Sequence, residues 1–518
     1  MVISTISKYF WRQFNRMQQF LLGLDIGSSS VKATLVSVDS GKSIASAQSP
    51  KEEMEMLAPK SGWAEQDPEM WWEHAIKSIQ RCLTKSGVKS ESIKAIGVAY
   101  QMHGLVAVDK NGKPVRPSII WCDSRAVEFG DRAFKELGSE YCLSHFLNSP
   151  GNFTASKLKW IKENEPEKYA SIYKIMLPGD YIAYKLTDEI ATTDTGLSEG
   201  IFWDYKQEGV ADSLLKHYGI DRSLLADIKP VFSEQGKLTS EAAKETGLKE
   251  GTLISYRAGD QPNNAFSLNV VNPGETAATA GTSGVIYSVT DQNAFDPKSR
   301  VNTFIHVSNK PDSKKNGVLL CVNGTGILNS WLRKNLNAGK VVYEYQEMNE
   351  LAAKVPAGAN GLLMLPFGNG AERILENKSI QSSWHGLDFN QHNQAHIFRA
   401  AQEGIVFALK YGFEILQSMG LKSKVIRAGQ ANMFLSPLFR QAFVNTIGVP
   451  LELYDTDGAK GAALGAGIGA GIYSSFEDAF KGLMKINEES PDRSLTDQYA
   501  NIYGSWKVKL NQQLLNLE

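Results

Sequence analysis

The sequence predicts an α/β protein of two lobes with a cleft between them. Three observations carry that. A chain of 518 residues suffices for two large lobes, or about three domains, each with a sizeable core. Its two halves share a plan: strands first, Gly-bearing tips, then alternating strand and helix. One stretch at mid-chain, Ile254 to Tyr287, sets a lone acid, Asp260, after an apolar run that breaks at Ala258-Gly259. A turn at Asn272-Pro273-Gly274 follows, and then a strand-like run into Gly281-Thr282-Ser283-Gly284. An acid so placed can take a proton. Backbone N–H groups and hydroxyls in such a turn can cradle phosphate. Two plain surface turns would read the same way from this segment alone.

Taken in order, Leu21 to Ile26 is an apolar strand. It passes through Gly27-Ser28-Ser29-Ser30 into an alternating run, Val31 to Val38, so the pair reads as a hairpin. The tip lacks the second Gly of a P-loop, and no dinucleotide fingerprint is present here. Asp25, beside Gly and three hydroxyls, suits a metal-held water and phosphate oxygens. Asp67 with Pro68 marks the start of a helix running through Trp71 and Trp72 to Leu83. A strand from Ile93 to Tyr100 leads into Gln101-Met102-His103-Gly104. Leu105 to Val108 is a strand, Asn111-Gly112 a hairpin turn, and Ser118 to Trp121 a further strand. Cys122-Asp123-Ser124-Arg125 opens a helix. Residues 153–190 read as helices around Pro166 and Pro178, and 192–205 as polar turns.

The second half repeats the plan. Strands at 318–322, 361–366, 425–427 and 450–454 run into polar or Gly-bearing tips. A long amphipathic helix spans 398–419, with Ile405, Leu409, Phe413 and Leu416 on one side. A second helix covers 437–447, and another starts at Gly461. There is no sharp sequence repeat and no low-complexity linker. The expected boundary lies just after Asp260, near 269–274, which puts the chemistry between lobes.

A net charge of −1 gives no electrostatic reason to expect nucleic acid or an acidic membrane as partner. The four cysteines, Cys82, Cys122, Cys142 and Cys321, form no CxxC and no zinc-finger spacing; such sparse Cys suits a reducing, cytoplasmic setting. No apolar run reaches the roughly 18 residues of a membrane span. The run GAALGAGIGAGIY, 461–473, is too short and too Gly-rich, and reads as close helix packing. Residues 1–20 carry Lys8, Arg12 and Arg16 among aromatics without an acid. A transit peptide or surface helix fits, as does a disordered extension with Met17 as the true start; the extension is the reading adopted.

Gly- or hydroxyl-rich tips with acids placed as at Asp25 and Asp260 point to nucleotide handling. Phosphoryl transfer is mostly positioning and charge neutralisation, and the chain offers donors, a carboxylate for magnesium, and a base. His103 can hydrogen-bond a polar substrate or sit buried and satisfied. Trp63 and Trp121 can stack on a sugar, whereas Trp71 and Trp72 share a helix and read as core. Arg125 and Arg373 can bind anions, with surface pairing as the default. No Ser/His/Asp order stands out, and no HExxH is present.

From Phe20 to about Ser474 the chain resembles the FGGY family of carbohydrate kinases, and within it the xylulokinase branch. The residues that carry the likeness are Asp25-Ile26-Gly27-Ser28-Ser29-Ser30-Val31-Lys32, WAEQDPEMWW at 63–72, Gln101-Met102-His103-Gly104, the blocks WCDSRA, NFTASKLKW and IMLPGDYIAYKLT, and Ala258-Gly259-Asp260. Gly281-Thr282-Ser283-Gly284 and Ala428-Gly429-Gln430-Ala431-Asn432 complete the set.

The resemblance implies a duplicated actin-like, ribonuclease-H-like α/β fold, with ATP and sugar in the cleft. It implies a first lobe over 21–268, holding sugar and first phosphate motif, and a second over 269–518, holding second phosphate and adenosine motifs. Asp260 would be the base, and Asp25 with Asp260 would hold Mg2+. Met102, His103 and Gln261 would join Asp260 on the open-chain sugar. Gly27, Ser28, Ser29, Lys32, Gly281, Thr282, Ser283, Ala428, Gly429 and Asn432 would hold ATP. The expected reaction is ATP-dependent phosphorylation of a ketopentose, D-xylulose to D-xylulose 5-phosphate. Alternatives are L-ribulose, another ketose or glycerol, or a catalytically idle sugar sensor; a homodimer is compatible with the sequence. The chain departs from the family at Ala258 and at Gln261, where Gly and Asn are usual. It departs again at Ala428, whose methyl would tighten the adenine slot, and at Ser28, which keeps the hydroxyl of the usual Thr.

Overall fold

A computed structural model describes residues 18–336 and 343–517. The expectation for residues 1–17 lies outside these. Phe20, assigned to the extension, already starts the first strand.

Two sheets organise the chain. In the first, β1 (Phe20–Ile26), β2 (Val31–Ser37) and β3 (Ser43–Ser49) form an antiparallel meander. Next come β4 (Ile93–Tyr100), parallel to β1, β5 (Phe232–Lys237), and β6 (Leu253–Gly259), parallel to β4. The order across the sheet is β5-β6-β4-β1-β2-β3. The second sheet contains β7 (Glu275–Ala280), β8 (Gly284–Thr290), β9 (Asn302–Ile305), β10 (Asn316–Val322), β11 (Val425–Gly429), β12 (Leu451–Tyr454) and β13 (Lys485–Glu489), ordered β9-β10-β8-β7-β11-β12-β13. Here β7, β8 and β10 repeat the meander, with β11 and β12 parallel beyond β7. The same topology twice, without a sequence repeat, is the duplicated α/β architecture expected.

Local chemistry explains the elements that position the cleft. In β1 every side chain is buried except Asp25, which is half-buried at the sheet's end. The helix α1 (Pro68–Ser86) starts where the Asp67 carboxylate accepts the Glu69 N–H, with Pro68 at its first position, and ends at left-handed Gly87. Its Trp71, Ile79 and Cys82 pack into the core of the first lobe.

Three further helices matter here, and two of them, α2 and α4, pack between the lobes. Asp260–Ser267, α2, has no element assigned to it from sequence. It is a helix that starts directly at the end of β6. The long helix of the second half, α3, runs Gln394–Ser418, four residues earlier at its start than its periodicity suggests; Asn393 caps it through the Ala395 N–H. The Gly-rich run belongs to α4 (Gly458–Gly469), which follows β12 of the second sheet yet lies against β1 and β4 of the first. Its close-packing reading is correct. A Cβ on Gly23 or Gly97 would collide with the backbone oxygens of Ala459 or Ala462. At the crossing of α2 and α4, Asn263 Nδ2 donates to Gly458 O at 2.9 Å.

The expected helix at Cys122 begins only at Val127. Arg125 is not a surface residue: it is buried, paired with Asp123 at 2.6 Å and Glu65 at 2.5 Å, its guanidinium 3.7 Å from the Trp63 ring centre. Arg257, just ahead of Asp260, is also structural. It is fully buried, donating to Gln235 Oε1, Asp180 Oδ1 and Ala191 O. Arg257→Met is expected to cost about 3–5 kcal/mol in urea unfolding, because Asp180 is left buried without its counter-charge. A loss below ~1 kcal/mol would show that the Leu177 N–H and the Thr192 hydroxyl already satisfy Asp180.

Candidate active site

A cavity of about 590 Å³ opens between the lobes. From the first lobe it collects Asp25, the hairpin tip Gly27–Ser30, Lys32, Met102, His103, Asp260 and Gln261; from the second it takes Ser283. The strand ends explain this: β1, β4 and β6 are parallel, so their carboxyl ends deliver Asp25, Met102-His103 and Asp260 to one edge.

Asp260 is half-buried at the first turn of α2. Burial, and then the like charge of Asp25, push its carboxyl up to about 7; N–H donation from Gln261 backbone and side chain pulls the other way. So Gln261 bonds the acid itself. Asp25 is raised to about 6 by burial and by Asp457, with Lys32 opposing. Lys32 spends its charge on Asp457, the capping residue of α4, at 2.5 Å. Gly259 must lack a side chain: a Cβ there would lie 2.7 Å from Met102 Cγ and press into the Glu199 carboxyl.

His103 is held in the left-handed region, φ 62, which is uncommon for a residue with a Cβ. Its backbone N–H donates to Glu199 Oε1 at 3.3 Å, and Lys157 Nζ donates to its carbonyl at 2.8 Å. Nδ1 lies 2.9 Å from Glu199 O. Burial holds the imidazole neutral, with its pKa near about 3. A neutral ring donating through Nδ1 leaves Nε2 as an acceptor. Phe153 and Phe304 flank the ring, centroids 4.8 and 5.3 Å away.

The remaining site residues fall less directly on the cavity. Gly281 sits beside Asn432, whose Nδ2 would be 3.4 Å from a Cβ there, and the N–H groups of Gly326 and Ile327 bond Gly281 O and Thr282 O. This joins the second hydroxyl turn to the Ala428–Asn432 tip. Ala428 is fully buried in the core of the second lobe; its methyl packs inward, so it does not tighten an adenine slot from within the cleft. Trp121 lines the cavity, exposed, with Nε1 3.3 Å from Ser28 Oγ. Trp63 stacks edge-on with Trp160, away from the cavity lining. Sequence reasoning passed over Asn152, Phe153, Asn302 and Cys321, which line the cavity, and Lys157 and Glu199, which grip His103. Asn152, Phe153 and Lys157 lay inside the quoted block NFTASKLKW without being singled out; Glu199 carried no signal.

Two family models account for most of the chain. The N-terminal domain of the FGGY family of carbohydrate kinases matches residues 20–267, and the C-terminal domain of that family matches 276–473. The chain belongs to the FGGY family of carbohydrate kinases. This kinase is 28% identical to the xylulose kinase of Haemophilus influenzae, over 95% of this chain and 99% of that protein. It is 29% identical to the xylulose kinase of Bacillus subtilis, over 94% and 97%. The solved xylulose kinase of Rhodospirillum rubrum superposes with a TM-score of 0.83 at 26% identity, over 95% of this chain and 99% of that one. Plasmodium falciparum glycerol kinase with ADP gives 0.83 at 21%, over 96% and 98%, a likeness of fold. The kinase is thus a phosphotransferase acting on a sugar hydroxyl, and ATP is its family's phosphoryl donor. Among its described residues no helix is long and apolar enough to cross a membrane.

Proposed function

We propose that the kinase phosphorylates the terminal primary hydroxyl of an open-chain ketopentose, D-xylulose first among them. What supports this most is one juxtaposition: Asp260, with its proton affinity raised toward neutrality, shares a cavity with the Met102-His103 pair and the Gly27–Ser30 tip. The relatives described as xylulose kinases point the same way.

In this mechanism the sugar rests against Met102 and His103, with Nε2 of the neutral imidazole accepting from a hydroxyl. An Asp260 carboxylate oxygen takes the terminal hydroxyl's proton as the hydroxyl oxygen bonds to the γ-phosphorus. The bond to the bridging oxygen breaks and ADP departs. N–H and hydroxyl groups of Gly27, Ser28 and Ser29 on one lobe, and of Gly281, Thr282 and Ser283 on the other, surround the phosphates, with Lys32 beside them. The Gly429 backbone and Asn432 take the nucleoside end. Asp25 and Asp260 also fit Mg2+. They are two neighbouring carboxylates, each held above its usual range, with Lys32 engaged elsewhere. One or two carboxylates plus phosphates is the usual donor set of that ion. Bound there, Mg2+ would neutralise charge on the phosphate oxygens. Closure of the lobes keeps water from the γ-phosphate.

The test is ADP release, coupled to a second enzyme, across ketoses, aldoses, polyols and aldonates. D-xylulose is expected to give the highest kcat/KM. A preference for glycerol or an aldose would reject the ketopentose, and no sugar-dependent ADP from any compound would make the protein an idle sensor.

A further inference from the structure

The buried arginine side chains among the described residues come with carboxylates. Arg116 and Arg125 have Glu65, Arg257 has Asp180, and Arg399 has Glu403. Arg373, half-buried in the cavity wall, has none. It opens a one-turn helix, Arg373–Leu375, and lines the inter-lobe cavity with Asp260 and His103. Nη1 donates to Asn302 Oδ1 at 2.9 Å and to Ser299 O at 3.3 Å. Its Cζ lies 5.6 Å from the Phe153 ring centre. Among the described residues it makes no ion pair, and no protein acceptor meets Nε or Nη2. One guanidinium nitrogen is therefore anchored, and the fork beside it is left open in a site where an unmatched cation is costly.

Position fixes which part of a substrate the fork would meet. Arg373 sits beside Phe153, which packs edge-on against His103, and it acts electrostatically on His103 and on Asp131. The hydroxyl to be phosphorylated lies at Asp260, so Arg373 stands toward the other end of an extended sugar, on the His103–Phe153 side. It belongs to the second lobe, while His103 and Phe153 belong to the first. A sugar held between them would link the two lobes.

We propose that Arg373 is a specificity-determining residue that reads the carbonyl-bearing end of the acyclic substrate. Nε–H and Nη2–H donate to two neighbouring oxygens, at least one of them fixed by a planar carbon. That pair is the C1 hydroxyl and C2 carbonyl of an open ketose, or the two oxygens of an aldonate carboxylate. A guanidinium fork matches such a pair, and an ammonium does not. A polyol has no planar carbon to fix its oxygens and gains less. The inference rests on the sugar-kinase reading above and narrows it.

The experiment compares wild type, Arg373→Ala and Arg373→Lys on three substrates of one carbon skeleton: D-xylulose, its C2-reduced polyol, and the aldonate of the same length. Turnover by the wild type tests the function on its own. The variants test Arg373. For whichever planar-ended substrate the wild type prefers, Arg373→Ala is expected to raise KM about 10- to 100-fold, as for loss of a charged hydrogen-bond pair. KM for ATP should stay within about twofold, and the polyol KM should barely move. Arg373→Lys, which keeps the charge and the stem, should remain about tenfold or more worse than wild type. If the wild type prefers the aldonate, Arg373 keeps its role and the ketose reading falls. Equal losses for ketose and polyol, or full recovery by Lys, would overturn the proposal. Should Arg373→Ala melt early, the Lys variant with a wild-type melting curve decides alone.

Discussion

Replacing Asp260 by Asn is expected to lower kcat by about 10²–10⁴, the usual cost of losing a general base, while ATP still binds. The argument is one of proton affinity. A base works near its own pKa, and Asp260 is lifted to about 7 by burial and by Asp25. Activity should therefore fall as pH drops below about 7 and Asp260 becomes protonated. Asp25→Asn, by removing the like charge, should move that acid limb to lower pH. Stability carries the opposite sign. The folded pKa of Asp260 stands above its unfolded value near 3.8. The stability this gives is full below the unfolded pKa and is lost as pH rises through about 7. At pH 8 the ligand-free protein thus bears the cost of an ionised Asp260. Asp260→Asn should be inactive yet melt higher than wild type at that pH. An inactive variant that melts lower would mean Asp260 acts through the fold; near-wild-type kcat would remove it as the base.

The largest structural effect is expected at Gly97. A Cβ there would overlap the Ala462 carbonyl, and its neighbour Gly23 meets Ala459 O and, at 2.6 Å, Ala463 N. These are backbone atoms, so no rotamer relieves the clash. Helix α4 cannot simply retreat, because Gly461 is in contact with Ser267 and Asn263 on α2. Overpacking usually costs about 1–3 kcal/mol, and a clash of backbone on both sides belongs at or beyond the top of that range. Gly97→Ala should yield little soluble protein or a sharply lowered Tm. It should also lose activity, because moving α4 shifts Gly458 against Asp25. Ala462→Gly should not rescue it, since the obstacle is the carbonyl. A Tm within ~2 °C of wild type would show that the helix has room to move.

Much of the cleft was legible because its chemistry is local. The β1–β2 hairpin follows from alternation and Gly27. The Asp67 cap follows from its place before Pro68. Asp25, Met102-His103 and Asp260 could be picked out because each ends an apolar run. What was not legible acts over long separations through backbone groups. Glu199 and Lys157 hold His103 from 96 and 54 residues away, and neither has a spacing that announces it. The helix at Asp260 escaped notice because DQPNNAFS has no apolar period. Arg125 and Arg373 looked alike in sequence. One proved to be locked to Asp123 and Glu65, the other open to the cleft, and only the fold separates them. WAEQDPEMWW was recognisable as a motif, but its work is structural: Glu65 neutralises two arginines, and Gln66 ties Ser28 O to the Trp71 indole.

The crossing of α4 onto the first sheet has a consequence for how the protein is made. The strands β1, β4 and β6 are complete once Gly259 has been synthesised, but the helix that covers one face of them starts only at Gly458. Roughly two hundred residues separate the two, so at ~5–20 residues per second the ribosome leaves that face bare for roughly ten to forty seconds. The nascent first lobe therefore waits with an apolar, Gly-lined surface exposed, and it is here that a chaperone or a wrong neighbour has its opening.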